Sequence, residues 1–384
     1  MSIDEDKYAG ALLGLAVGDA LGLAVEGMSR DSIARRYGTI ERYRILEDVG
    51  YVSDDTEHTV MVLTALLRGG SDLDQCLSAF RSLLRGWFLR IPLGAGKTTL
   101  LACLRLTVGL KNSGRPSAGN GSAMRAPAIA LRFPNDQQRR LYFGKAFSRV
   151  THLDPRAVEG ALYVAELTAH CLEHSRTVDR QRLVGRAMEV VRDARLKTAL
   201  QRASAAADDD VRYRQLPRTG YVVDTIAAAT AEFLRHGADP EWAISSAVHA
   251  GGDTDSIAAI VGAWVGALHG ADELPREWVE TLEDGVYGRS HLLSLVDALL
   301  EDAEPPPVPA LAALGRNLLL APLLFWHAIV RRLPISSPQS EIEDVAPSTV
   351  RETLDMPSGL DQDLNAEVRT AVGRGEFDDR EEGP

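Results

Sequence analysis

Glycine recurs at every fourth position in Gly10-Ala11-Leu12-Leu13-Gly14-Leu15-Ala16-Val17-Gly18-Asp19-Ala20-Leu21-Gly22. That spacing aligns all four on one face of a helix. Each costs about 1 kcal/mol of helix propensity relative to alanine, so the stretch makes sense where a second helix must reach the backbone. The chain is thereby committed to close helix-on-helix packing. A dinucleotide fingerprint is excluded, because GxGxxG spacing is absent and no strand pattern precedes it.

Other segments agree with a helical fold. Leu73 to Trp87, Pro155 to Leu172, Arg180 to Ala203 and Asp224 to Leu234 carry apolar residues at spacings of three and four, the helical period. Alternating β patterns are scarce, and Pro-Gly-Asp-Asn clusters separate the helices. The expected fold is all-α: a compact orthogonal multi-helix bundle with a C-terminal extension.

Composition narrows the partners. Forty-two Lys and Arg stand against 54 Asp and Glu, a net charge of -12, where a polyanion-binding chain is normally basic. Cys76, Cys103 and Cys171 form no CxxC pair, which argues against a disulfide framework or structural zinc. The start, Met1-Ser2-Ile3-Asp4-Glu5-Asp6, is acidic where a signal peptide is basic, so the cytoplasm is the expected compartment.

Residues 341–384 hold 13 acids and 4 bases and little apolar periodicity, as in a solvated tail. Upstream, Glu304-Pro305-Pro306-Pro307-Val308-Pro309 reads as a stiff spacer no helix crosses. The expected division is a main domain 1–303, a spacer 304–310, an apolar helix 311–333 and an acidic, disordered tail 334–384. The apolar stretch Leu318 to Val330 is shorter than the roughly 20 residues a membrane-spanning helix needs. Docking on the main domain is its expected role, with an interfacial membrane or partner contact as the alternative.

Two acidic loops carry the chemistry. Ser53-Asp54-Asp55-Thr56 precedes the apolar run Val60 to Leu67, and helix capping alone explains one such side chain but not both carboxylates. Gly251-Gly252-Asp253-Thr254-Asp255-Ser256 repeats the arrangement almost 200 residues later, before Ile257 to Trp264. Four carboxylates match the charge of two divalent cations, and oxygen donors without cysteine select Mg²⁺ or Mn²⁺ over zinc. His58 and His249 lie beside the two loops and read as packed or surface histidines. A third loop, Ala118-Gly119-Asn120-Gly121-Ser122-Ala123-Met124-Arg125, offers amides to a phosphate at a helix start. Gly94-Ala95-Gly96-Lys97-Thr98-Thr99 ends like a Walker A loop, but Ile91 stands where that pattern requires glycine.

In this order the segments resemble the ADP-ribosylglycohydrolase family: GALLGLAVGDALG at 10–22, Glu26, SDDT at 53–56, GAGKTT at 94–99, and GNGSAMR at 119–125. Thr151-His152, GYVVDT at 220–225 and HAGGDTDS at 249–256 complete the series, over about residues 8 to 300. The resemblance implies an all-α hydrolase with two Mg²⁺ or Mn²⁺ that cleaves the glycosidic bond joining ADP-ribose to an acceptor. It implies Ser53, Asp54, Asp55, Asp253, Asp255 and Ser256 as metal ligands. Asn120, Gly121, Ser122, Ala123, Met124 and His152 would hold the diphosphate and distal ribose. Asp54 or Asp55 would take a proton from water, and Glu26, off the metals, would position the ribose or assist the leaving group. The SDDTE form suggests ADP-ribosyl-arginine on protein as substrate. A non-catalytic ADP-ribose-binding module and a magnesium-dependent phosphohydrolase are the competing classes. Because every matched segment lies upstream, the chain after residue 304 is expected to be dispensable for a small substrate.

Overall fold

A computed structural model describes residues 5–330 apart from 47, 93 and 111. The expected tail 334–384 lies outside the described residues. Among them are seventeen α-helices and no strand, only isolated bridges. The first six are α1 (Glu5–Leu23), α2 (Arg30–Tyr37), α3 (Asp54–Gly69), α4 (Leu73–Leu89), α5 (Lys97–Thr107) and α6 (Pro127–Arg132). Then come α7 (Gln137–Arg149), α8 (Pro155–Glu173), α9 (Arg180–Ala187), α10 (Ala194–Ala206), α11 (Asp210–Gln215) and α12 (Val222–His236). The series closes with α13 (Pro240–His249), α14 (Thr254–His269), α15 (Arg276–Glu280), α16 (Arg289–Leu300) and α17 (Ala310–Val330).

The expected helix from Arg180 to Ala203 is broken. A 3₁₀ turn over Met188–Val190 follows α9, and Asp193 caps a new helix, α10. The Glu159 carboxylate accepts from the Arg192 and Asp193 amides at 2.8 and 2.7 Å, satisfying backbone donors that a continuous helix would otherwise have bonded.

The centre of the molecule is the α1–α14 pair. Sixteen consecutive residues of α1, Tyr8 to Leu23, are buried, as are the fifteen of α14 from Thr254 to Leu268. A helix apolar on all sides belongs in a core. Gly10, Gly14 and Gly18 face Gly266, Gly262 and Ala258, and a methyl group on any of the three would collide with the backbone opposite. At the last step, a Cβ on Gly22 would stand 2.5 Å from Asp255 Cα. The glycine seam therefore runs straight to the second acidic loop.

Beyond α16 the chain stays on the body. Val308 packs against the core and Pro305 is buried. Helix α17 turns its polar side inward: Arg316 and Asn317 are buried, while Leu318, Leu319, Phe325 and Trp326 are exposed.

Candidate functional site

Seven helices (α4, α7, α8, α9, α10, α11 and α13) open on an aspartate whose side chain accepts from their first amides. The two acidic loops break this habit. Ser53 and Asp253 occupy the N-cap positions of α3 and α14, and neither makes a side-chain cap bond. The capping explanation thus fails where carboxylates are densest.

The α3 start is held instead by Asp19, fully buried in α1. Its carboxylate accepts from the Ser53 amide at 2.9 Å and hydroxyl at 2.7 Å, and from the Thr56 amide at 3.1 Å and hydroxyl at 2.6 Å. Asp54 and Asp55 are left free to face the cavity. In the second loop the Thr254 hydroxyl donates to Gly22 O at 2.8 Å, and positive φ angles at Gly251 and Gly252 (77° and 86°) fold the backbone back, a conformation glycine adopts without strain. The Asp253 amide bonds Arg218 O at 2.9 Å.

These anchors bring Glu26, Asp54, Asp55, Asp253, Asp255 and Ser256 onto one cavity of about 280 Å³. Carboxylate oxygens of Glu26, Asp253 and Asp255 lie within 4.8 Å of one another, so Glu26 joins the acid cluster rather than standing apart from it. Ser256 Oγ donates to Asp55 Oδ2 at 3.3 Å, linking the two loops. Asp55 Oδ1 is buried with no protein partner. Ser53 turns its hydroxyl to Asp19 and is missing from the cavity wall.

Burial, with Asp19, Glu57 and Glu26 close by, holds the Asp54 carboxyl well above the usual carboxylate range. Burial does the same to Asp55 and Asp255, reinforced by the acids around each, and raises Asp253. Too many negative charges share too little solvent, which is the condition a divalent cation relieves. The donor set is all oxygen, with an unpartnered buried carboxylate oxygen, and it fits a hard divalent ion. Two helix N-termini, those of α3 and α14, also point positive ends at the cluster.

The third loop forms the opposite wall. Asn120 Nδ2 donates to Asp253 Oδ2 at 2.5 Å and to Thr225 Oγ1 at 3.1 Å, tying the loop to the acids. Asn120, Gly121, Met124 and His152 line the cavity. Ser122 does not: its hydroxyl donates to Ala157 O at 3.0 Å, and Ala123 is wholly buried in the core. The Asn120, Ala123 and Met124 amides are occupied by backbone carbonyls, while those of Gly121 and Ser122 have no backbone partner among the described residues. Beneath, buried Arg125 donates to Gly121 O, Thr151 Oγ1 and the His58 ring. Burial and the Arg125 charge push His152 down to about 3 and His58 well below its ordinary value, so both rings are neutral at pH 7. His249 holds the Ile40 amide at 2.8 Å, away from the acids.

Two features were given no role in the site by the sequence reading. The Walker-like segment is part of the wall, through Gly94, Gly96, Lys97, Thr98 and Thr99. A Cβ on Gly94 would sit 3.2 Å from Asp54 Oδ1, so its signal was the glycine rather than the lysine. The other is Asp19, whose single polar letter in an apolar helix was the available clue.

Two acidic helix N-termini and a glycine-rich loop thus enclose one polyanionic cavity whose acids could hold a metal ion. The sequence profile of the ADP-ribosylglycohydrolase family matches residues 1–308, and the chain belongs to that family, whose members hydrolyse ADP-ribose from modified acceptors. It is 28% identical to ADP-ribosyl-[dinitrogen reductase] glycohydrolase of Rhodospirillum rubrum, over 77% of this chain and 96% of that protein. It is also 28% identical to the ADP-ribosylarginine hydrolase Tri1 of Pseudomonas putida, over 80% and 81%. A solved structure titled ADP-ribosylglycohydrolase-related protein complex superposes with a TM-score of 0.63 at 25% identity, over 78% of this chain and 98% of that one.

Proposed function

We infer that this chain is a divalent-cation-dependent hydrolase that releases ADP-ribose from ADP-ribosylated arginine on protein. One observation carries the reading: Glu26, Asp54, Asp55, Asp253 and Asp255 share a cavity whose other wall is the Gly119–Met124 loop. The five carboxylates, with Ser256, would hold two Mg²⁺ or Mn²⁺, with Glu26 now counted among the ligands. Bound there, the ions would orient ribose hydroxyls and acidify a water.

Cleavage at the ribose anomeric carbon passes through an oxocarbenium-like centre. Asp55 Oδ1, buried and without a protein partner, would take a proton from the attacking water, with Asp54 beside it as the other carboxylate of the loop. The Gly121 and Ser122 amides would receive diphosphate oxygens. Neutral His152, held at Nδ1 by Thr151 Oγ1 at 2.8 Å, presents Nε2 to the distal ribose. The SDDTE form and the similarity to the Pseudomonas hydrolase support arginine as acceptor.

The test is to offer ADP-ribosyl-arginine, ADP-ribosyl-serine and O-acetyl-ADP-ribose with Mg²⁺ or Mn²⁺ and to identify the product. Intact ADP-ribose released fastest from arginine is the expected result. AMP or phosphate would make the protein a phosphohydrolase, and binding without turnover a recognition module.

A further inference from the structure

Helix α17 begins at Ala310, past residue 308 where the family profile ends. An amphipathic helix ordinarily docks with its apolar side; this one docks with charge. Arg316 donates to Glu57 Oε1 at 2.6 Å, to Glu283 Oε2 at 3.0 Å and to Val52 O at 2.6 Å. Beside it, Asn317 donates to Arg90 O at 2.9 Å, and nearer the end of the helix His327 bonds Ala24 O at 2.7 Å. Glu57 is buried, and its second oxygen accepts from Trp87 Nε1.

The positions of these partners give the contact its meaning. Val52 immediately precedes Ser53, and Glu57 lies two residues after Asp55 in the first turn of α3. A single guanidinium therefore grips the chain on both sides of the Ser53-Asp54-Asp55 segment. Asp19 holds that segment from α1, and Arg316 holds it from α17.

We propose that Arg316 is a positioning residue: by pairing with Glu57 and holding Val52 O, it fixes Asp54 and Asp55 in the geometry that binds a divalent cation. The idea rests on the metal-site reading above. It also reverses the expectation that the chain after residue 304 is dispensable. A helix serving only as an apolar cover would tolerate a long apolar side chain at 316, because Ala313 and Leu320 would still pack. A charge brace would not, since an unpaired buried carboxylate is strongly destabilising to its surroundings.

The experiment uses the full chain with Arg316→Met, Arg316→Lys, Glu57→Gln and the Glu57→Gln/Arg316→Met double variant. Mn²⁺ binding is measured by calorimetry with the metal alone, and amide hydrogen exchange is followed over residues 52–60. Arg316→Met should weaken Mn²⁺ binding at least tenfold and speed exchange over 52–60, leaving α1 and α14 protected. Arg316→Lys should fall between, and the double variant should bind Mn²⁺ more tightly than Arg316→Met, because a neutral amide at 57 needs no cation. Wild-type Mn²⁺ affinity and exchange in Arg316→Met would overturn the proposal, as would a double variant no better than the single one. If Arg316→Met does not fold, a double variant that folds supports the charge brace and one that also fails overturns it. If the parent binds no Mn²⁺, the metal reading fails by itself, and exchange over 52–60 still decides whether Arg316 braces the loop.

Discussion

Asp55 and Asp255 are the residues on which the site reading turns. Each is buried among other acids, and neither supplies a helix cap, so losing one charge removes repulsion without removing a structural bond of comparable worth. Asp55→Asn and Asp255→Asn should therefore melt at or slightly above the parent in chelator. Both should lose the thermal shift given by Mn²⁺ and at least a hundredfold in ADP-ribose release. Melting far below the parent in chelator would return these residues to a structural role. The acids were legible in sequence because adjacent carboxylates at a helix start exceed what capping requires. Asp19 was not, because its four donors belong to residues 34 and 37 positions away, and no local pattern marks such a partner. The orientation of Ser122 was hidden for the opposite reason: it sits inside a matched motif, but the tight turn points its hydroxyl at Ala157 O and leaves only its amide toward the loop.

Among the elements, the α1–α14 pair sets helix propensity against packing. Gly14→Ala gains about 1 kcal/mol of propensity, whereas forcing a methyl into a filled contact costs typically about 1–3 kcal/mol. The contact should win, so Gly14→Ala is expected to lower the midpoint of urea unfolding. Gly315→Ala in α17, where a Cβ meets open space, should raise or preserve it. Equal gains at both positions would mean that the two helices are not in backbone contact. The glycine period announced this pair from sequence alone, though not which helix would be the partner. Periodicity likewise placed α4, α8 and α12, but merged α9 with α10, because the break depends on Glu159 reaching two distant amides. The docking of α17 was hidden for a similar reason: Leu318, Leu319, Phe325 and Trp326 are left outside while Arg316, paired with Glu57, goes in beside Ala313 and Leu320.

For the molecule as a whole, the acidic cavity ties stability to pH. Asp54, Asp55, Asp253 and Asp255 all have raised folded-state values, while unfolded carboxylates titrate near about 4. Above that point the folded, metal-free protein binds more protons than the unfolded chain, so these groups make stability fall as pH rises through their folded values. A cation that displaces those protons removes the penalty. The thermal shift from saturating Mn²⁺ should therefore grow as pH rises above about 4 and through the folded values of these carboxyls; a pH-independent shift would place the metal elsewhere. The seam beneath this cavity has a further consequence, for synthesis. Gly22 O meets Thr254 Oγ1 across 232 residues of chain. At about 5–20 residues per second, α1 leaves the ribosome roughly 10 to 50 s before the helix that covers it is made. During that interval its sixteen core residues have no native α14 to pack against, which makes the first helix of this chain a natural client for a chaperone.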